Sequence, residues 1–169
     1  MKLLLKTAFL VSAAIFSFSV NAVDGFQNLK FGMTLDEVKA AKKCDWIKHK
    51  KIPSSYECKN YSFLDTKTRV LTSYSKGKLA QVQVMIPEER LKKVIDGLPK
   101  KYEVSTPYKE EKVNGDRQMT VKFDDDTLEL KVTYKGNDDY NYTALLIYSD
   151  KVYLNNLKKE QDQQIKDEL

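Results

Sequence analysis

The first 22 residues have the three parts of a cleavable secretion signal, and this feature decides where the rest of the chain must fold. Lys2 and Lys6 supply a positive start, residues 8–18 are mostly apolar, and small residues end the segment at Ala22. The apolar run is shorter than the roughly 20 residues that a membrane span needs. We therefore predict that residues 1–22 are removed and that the mature chain folds in the periplasm or outside the cell, with no stable membrane insertion.

Two cysteines, Cys44 and Cys58, follow in the part of the chain that would be exported. An even number of cysteines in an oxidising compartment favours a disulfide. The loop between them is short, so the bond is expected to stabilise the fold by about 3 kcal/mol. A zinc site that used His49 would lack ligands, because the chain contains one histidine. We predict a disulfide, no metal site and no cofactor.

The charge balance argues against a nucleic-acid partner. The chain has 29 Lys and Arg against 24 Asp and Glu, and its lysines occur in small separate clusters. Such clusters are typical of a solvated surface, whereas polyanion binding needs a denser basic patch. We expect a protein partner that carries an acidic surface, and no nucleic acid.

Capping residues, hydrophobic periodicity and turn residues together predict helices and strands in two similar series. Thr34 and Glu37 form a capping box for a first helix, and Pro87 starts a second helix that Gly97 and Pro99 are expected to end. Asn114-Gly115 is a strong hairpin signal. The predicted helices are 35–43, 87–97 and 150–166, and the predicted strands are 56–64, 69–75, 79–86, 102–108, 118–123, 127–134 and 142–149.

This order predicts an α+β fold, in which helices pack on one face of an antiparallel sheet and a further helix lies at the C-terminus. A helix followed by a meander of strands occurs twice, which suggests an internal duplication. The predicted organisation is a signal peptide over 1–22, an α+β domain over 23–150 with halves 31–86 and 87–150, and a C-terminal helix or tail over 151–169.

The start of the first predicted helix resembles a known family. Gly32-Met33-Thr34 followed by Glu37-Val38 is similar to the G-M-[ST]-x-x-[ED]-V motif of a group of small bacterial periplasmic proteins. That group includes the small lipoprotein of the outer-membrane assembly machine and proteins with the β-lactamase-inhibitor-protein-like fold. The resemblance implies a non-catalytic helix-then-sheet protein that binds other proteins or the cell envelope. The chain lacks the lipid-attachment cysteine of the assembly lipoproteins.

The residues offer no set that a catalytic mechanism requires. His49 lies among lysines in a predicted loop, and a lone histidine of this kind is usually a surface residue. The run from Asp124 to Asp126 lacks the spacing of a calcium loop and predicts a turn. Paired carboxylates for glycoside hydrolysis stay an open alternative, because acids are plentiful and their separation depends on the fold. We predict that the protein is not an enzyme.

Tyrosine is the unusual component, with ten in the chain. Tyrosine offers a large contact area at low entropic cost and is enriched at protein interfaces, although it is also a good strand residue. Tyr134, Tyr142, Tyr148 and Trp46 are the candidate binding residues.

We therefore predict an exported periplasmic protein that binds another protein, as an inhibitor or immunity protein does. One alternative is a factor that assembles or maintains the cell envelope. A second is a protein of the endoplasmic-reticulum lumen, if a retrieval receptor recognises the last four residues, Lys166-Asp167-Glu168-Leu169.

Overall fold

The computed structural model describes residues 23–41, 44–136 and 138–168, and the predicted signal peptide lies outside the described residues. The described part is α+β, as predicted. Its elements in chain order are β1 (Gly25–Phe26), β2 (Leu29–Lys30), α1 (Leu35–Ala40), β3 (Ile47–Lys48), β4 (Ser55–Phe63), β5 (Thr66–Ser75), β6 (Lys78–Ile86), α2 (Glu88–Lys101), β7 (Val104–Val113), β8 (Asp116–Phe123), β9 (Leu128–Tyr134), β10 (Tyr142–Ser149) and α3 (Lys151–Glu168).

Eight strands form one antiparallel sheet in the order β3-β4-β5-β6-β10-β9-β8-β7. The meander β4–β6 and the meander β7–β10 meet where β6 pairs with β10, with Ile86 opposite Ala144 and Val82 opposite Tyr148. A helix precedes each meander, so the element order of the two halves repeats. The join makes β10 a central strand that is paired on both sides.

One face of the sheet is buried under the helices, because side chains alternate between the two faces of a strand. Val82, Val84 and Ile86 of β6 are buried in the core. The alternate residues of the same strand, Gln81, Gln83 and Met85, are half-exposed. Helix α1 adds Val38 to this core, and α2 adds Val94 and Leu98. The α+β prediction is confirmed in this two-layer arrangement.

Residues 23–30, for which the sequence pattern predicted no helix or strand, contain a small hairpin. Gly25 pairs with Lys30 and Phe26 pairs with Leu29, and Phe26 and Leu29 are buried. The segment is held to the turn before β9, since the Val23 amide donates to Thr127 Oγ1 at 3.1 Å. Two-residue strands have no periodicity, so the pattern that identifies longer strands could not identify these.

The predicted end of α2 was wrong. The helix continues through Gly97 and Pro99 to Lys101. Proline lacks an amide hydrogen and so removes one hydrogen bond, but burial of Leu98 holds the last turn against the sheet, and the Tyr102 amide still donates to the Leu98 carbonyl at 2.9 Å. Helix α1 ends at Ala40, and residues 42 and 43 of its predicted span lie outside the described residues.

Cys44 and Cys58 form the predicted disulfide, with their Cα atoms 5.8 Å apart. Cys58 is fully buried in β4, so the bond anchors the loop after α1 to the core. None of the helices within the described ranges is both long and apolar enough to cross a membrane.

Candidate functional site

The structure brings two of the four predicted binding residues together. Tyr134 and Tyr142 are opposite each other in the register of β9 and β10, and their ring centroids are 5.5 Å apart. Both are half-exposed. Tyr148 is 6% exposed and Trp46 is 8% exposed, so both pack in the core instead of on a free surface. Any contact surface built on the predicted set therefore depends on Tyr134 and Tyr142.

Strand alternation explains where this pair lies. Tyr134 is two residues from buried Val132 and Tyr142 is two residues from buried Ala144, so both rings project from the helix-covered face. They lie at the end of the sheet where α2 begins, and the nearby carboxylate of Glu88 contributes to a raised pKa of Tyr142, after the effect of burial. Both rings are therefore half-exposed beside the first turn of α2.

Arg117 completes the stack, and the sequence reasoning missed it. Arg117 is opposite Tyr134 in the register of β8 and β9, and its guanidinium carbon lies 4.4 Å from the ring centroid of Tyr134. The guanidinium also pairs with the Asp139 carboxylate. Cation–π contact of this kind is worth about 0.5–1 kcal/mol at an exposed site. Counting the register outward from the Asp124–Asp126 turn, which joins β8 to β9, would have aligned Arg117 with Tyr134.

Two further tyrosines extend the surface. Tyr108 is 53% exposed, and its hydroxyl donates to Glu110 Oε2 at 2.5 Å. That hydrogen bond is the main cause of the raised pKa of Tyr108, to which the adjacent Tyr134 also contributes. Tyr140 is 94% exposed. We call Tyr108, Arg117, Tyr134, Tyr140 and Tyr142 the aromatic patch.

The loop beside the aromatic patch is held in place by its own hydrogen bonds. The Lys135 amide donates to the Asn141 carbonyl at 2.8 Å. Asp116 accepts from Lys135 Nζ at 2.5 Å and from the Gly136 amide at 3.1 Å, and these bonds lower its pKa, the Lys135 bond most strongly. These bonds within the protein hold the side of the aromatic patch in place before any partner binds.

The single histidine, His49, takes part in the structure of a turn. His49 Nδ1 accepts from the backbone amides of Lys51 at 3.3 Å and Ile52 at 3.0 Å, which uses this nitrogen to close a turn. In the part of the chain that the structure describes, no three His, Cys, Asp or Glu side chains are grouped so that they could hold a metal ion.

The predicted three-aspartate turn is confirmed between β8 and β9. All three residues adopt positive φ angles, of 47°, 55° and 66° from Asp124 to Asp126. Asp124 Oδ1 accepts from the Glu103 amide at 2.9 Å, and Asp126 Oδ1 accepts from Thr106 Oγ1 at 2.7 Å. Asp125 pairs with Lys151 at 2.8 Å. The three carboxylates hold the turn against β7, the residue before it, and α3. These contacts give all three aspartates a structural role, and no bound ligand is needed to explain them.

Residues 26–168 match the model of a family described as "Uncharacterised protein". The chain belongs to this family. A protein of Haemophilus influenzae (strain ATCC 51907 / DSM 11121 / KW20 / Rd), described as "Uncharacterized protein", is 32% identical over 176 residues, and the match covers 100% of each chain. No solved structure matches the chain significantly.

The family match runs from Phe26, the second residue of β1, to the end of α3. It therefore includes the aromatic patch and the disulfide.

Proposed function

We propose that the protein is exported to the periplasm of a bacterium and binds another protein there through the aromatic patch, without catalysing a reaction. The stacked arrangement of Arg117, Tyr134 and Tyr142 carries this proposal. Tyrosine and arginine are among the residue types that contribute most to binding energy at protein interfaces, and here they are adjacent and half-exposed.

Rigidity of the patch supports the same function. The guanidinium of Arg117 is held on one side by the Tyr134 ring and on the other by Asp139. Because these side chains are already ordered, they lose less conformational entropy when a partner docks than flexible side chains would. Rings with two rotatable bonds add contact area at low entropic cost.

The charges near the patch are of both signs, since Lys135 pairs with Asp116 and Arg117 pairs with Asp139. We therefore propose that the partner offers an apolar or aromatic surface to the patch itself. An acidic region elsewhere on the partner would be attracted by the lysines of α2, among them Lys92, Lys93 and Lys100.

Export is supported by the disulfide between Cys44 and Cys58, which is compatible with an oxidising compartment. The bacterial relative favours the periplasm over the endoplasmic-reticulum lumen. We further propose a relationship to the β-lactamase-inhibitor-protein-like fold, supported by the Thr34–Glu37 capping box and by the repeated order of a helix followed by a meander.

The test is site-specific photo-crosslinking in living cells. A benzophenone amino acid replaces Tyr142 in one variant and Val152, which is 66% exposed on α3, in a control variant. We expect one protein adduct at position 142, which Arg117→Ala removes, and no such adduct at position 152. Equal adducts at both positions, or an adduct that Arg117→Ala leaves unchanged, would contradict the proposal.

The identity of the crosslinked protein distinguishes the two binding roles. A secreted enzyme or toxin indicates an inhibitor or immunity protein. A component of the envelope assembly machinery indicates the alternative role in assembly or maintenance.

A further inference from the structure

A second candidate site is a cleft of about 810 Å³ beside α2, separate from the aromatic patch. Val94 and Leu98 of α2 form one wall, and Phe63 and Leu64 form the other. Leu146 and Tyr148 of β10, which are buried and project from the helix-covered face of the sheet, also line the cleft. The volume is in the range of small-molecule sites.

The rim of the cleft carries a net positive charge, because its lining has four lysines and two acids: Lys92, Lys93, Lys100 and Lys101 against Glu89 and Asp96. Lys92 pairs with Asp96 at 2.6 Å, and Lys101 lies over the Tyr102 ring at 4.9 Å from its centroid. Lys93 and Lys100 form no ion pair with any residue in the described ranges. The cleft therefore combines an apolar interior with two cationic groups at its mouth that can accept an anion.

We propose that this cleft binds a single-chain anionic amphiphile, such as a fatty acid, with its alkyl chain between the walls and its anionic head at Lys93 and Lys100. Burial of the alkyl chain removes apolar surface from water, which favours binding. The head group stays at the rim, where it keeps part of its hydration and gains ion pairs.

The backbone around the cleft favours an alkyl chain over an extended peptide. Helix α2 satisfies most of its own amide and carbonyl groups, apart from its end turns and the one bond that Pro99 cannot make. Strand β10 is paired with β6 on one side and β9 on the other. An extended peptide in the cleft would thus find few backbone partners, and each buried polar group without a partner is costly. An alkyl chain has no polar groups to satisfy.

Gly97 offers a direct way to close the cleft. It lines the cleft from α2, and a Cβ atom placed on it meets no other atom within 4 Å. The Cβ atom of a leucine at this position would therefore fit beside the cleft without a clash. Because glycine is a poor helix former, the substitution also favours the helix.

The test uses isothermal titration calorimetry with the protein purified after expression of its full coding sequence. The probes are sodium dodecanoate, kept below its micelle concentration, and dodecylammonium, which has the same chain and the opposite charge. We expect dodecanoate to bind and dodecylammonium to bind at least tenfold more weakly. Lys93→Glu/Lys100→Glu is expected to weaken dodecanoate binding at least tenfold, and Gly97→Leu to abolish it.

Lys50→Glu/Lys51→Glu is the matched control, because it makes the same charge change in an exposed loop, and it should change the dissociation constant less than twofold. Thermal unfolding of each variant verifies that it is folded. Equal binding of the two probes, unchanged dodecanoate binding by Gly97→Leu, or binding of an acidic Glu/Leu peptide without binding of dodecanoate would overturn the proposal. Crosslinking at the aromatic patch is a separate readout, so either proposal can fail alone.

Discussion

The ring of Phe26 packs against the ring of Tyr148, with centroids 5.0 Å apart. Phe26 also contacts Tyr61 at 5.7 Å and Phe63 at 5.6 Å. One residue of the N-terminal hairpin therefore joins the first meander, through β4, to the central strand β10. The hairpin is part of the core and not an appendage.

Replacing this ring should be among the most damaging single changes. Phe26→Ala removes a buried aromatic side chain and leaves a cavity, so we expect a loss of about 3–5 kcal/mol in the free energy of unfolding. Urea denaturation measures it. Tyr140→Ala removes an exposed ring and is the control, with a change within about 0.5 kcal/mol. A loss below about 1 kcal/mol for Phe26→Ala would show that the hairpin is not docked.

The same substitution should have opposite effects at two glycines. Gly25 has φ of 150°, and a Cβ there would overlap the Leu29 carbonyl oxygen and approach Lys30 Cα to 2.9 Å, so Gly25→Ala should destabilise the protein by more than about 1 kcal/mol. Gly97 lies in α2 with open space around it, so Gly97→Ala should stabilise by up to about 1 kcal/mol. Thermal unfolding compares the two, and a stable Gly25→Ala variant would contradict the geometry of the hairpin.

Reduction of the disulfide should weaken the fold. Cys44 and Cys58 are 14 residues apart, and opening a loop of this length is expected to lower the free energy of unfolding by about 3 kcal/mol. Denaturation with and without dithiothreitol measures the difference. Alkylation of thiols in intact cells tests export at the same time, because free thiols in the native protein would indicate a reducing compartment.

The capping box of α1 predicts part of the acid sensitivity. The Thr34 amide donates to Glu37 Oε2 at 2.6 Å, and this bond, followed by the one from the Thr34 hydroxyl, lowers the pKa of Glu37 below its usual 4.5. Because the folded state holds this carboxylate ionised, the stabilisation is present above about pH 5 and is lost as the pH falls through the lowered pKa.

Glu37→Gln keeps an acceptor oxygen but does not titrate, so stability should fall less steeply between about pH 5 and pH 3 than in the unmodified protein. Asp36→Asn is the matched control, since Asp36 lies in the same turn and, within the described part of the chain, makes no side-chain hydrogen bond. Urea denaturation at a series of pH values gives both slopes. An unchanged slope for Glu37→Gln would show that this bond does not contribute.

Local signals in the sequence determined most of the elements. Strand β10 begins at Tyr142 and ends at Ser149, the bounds predicted from its apolar composition. The Thr34–Glu37 cap and the Asn114-Gly115 turn are also confirmed, because each depends on residues a few positions apart. The α+β class followed from the order of these elements.

Tertiary structure decided which tyrosines are available for contact. Tyr142 and Tyr148 occur in the same strand with the same alternation, yet Tyr148 is buried against the ring of Phe26 and Tyr142 is half-exposed near the start of α2. The stack of Arg117 on Tyr134 likewise depends on how β8 pairs with β9. Periodicity assigns a side chain to one face of a strand, but its exposure depends on which distant segments cover that face.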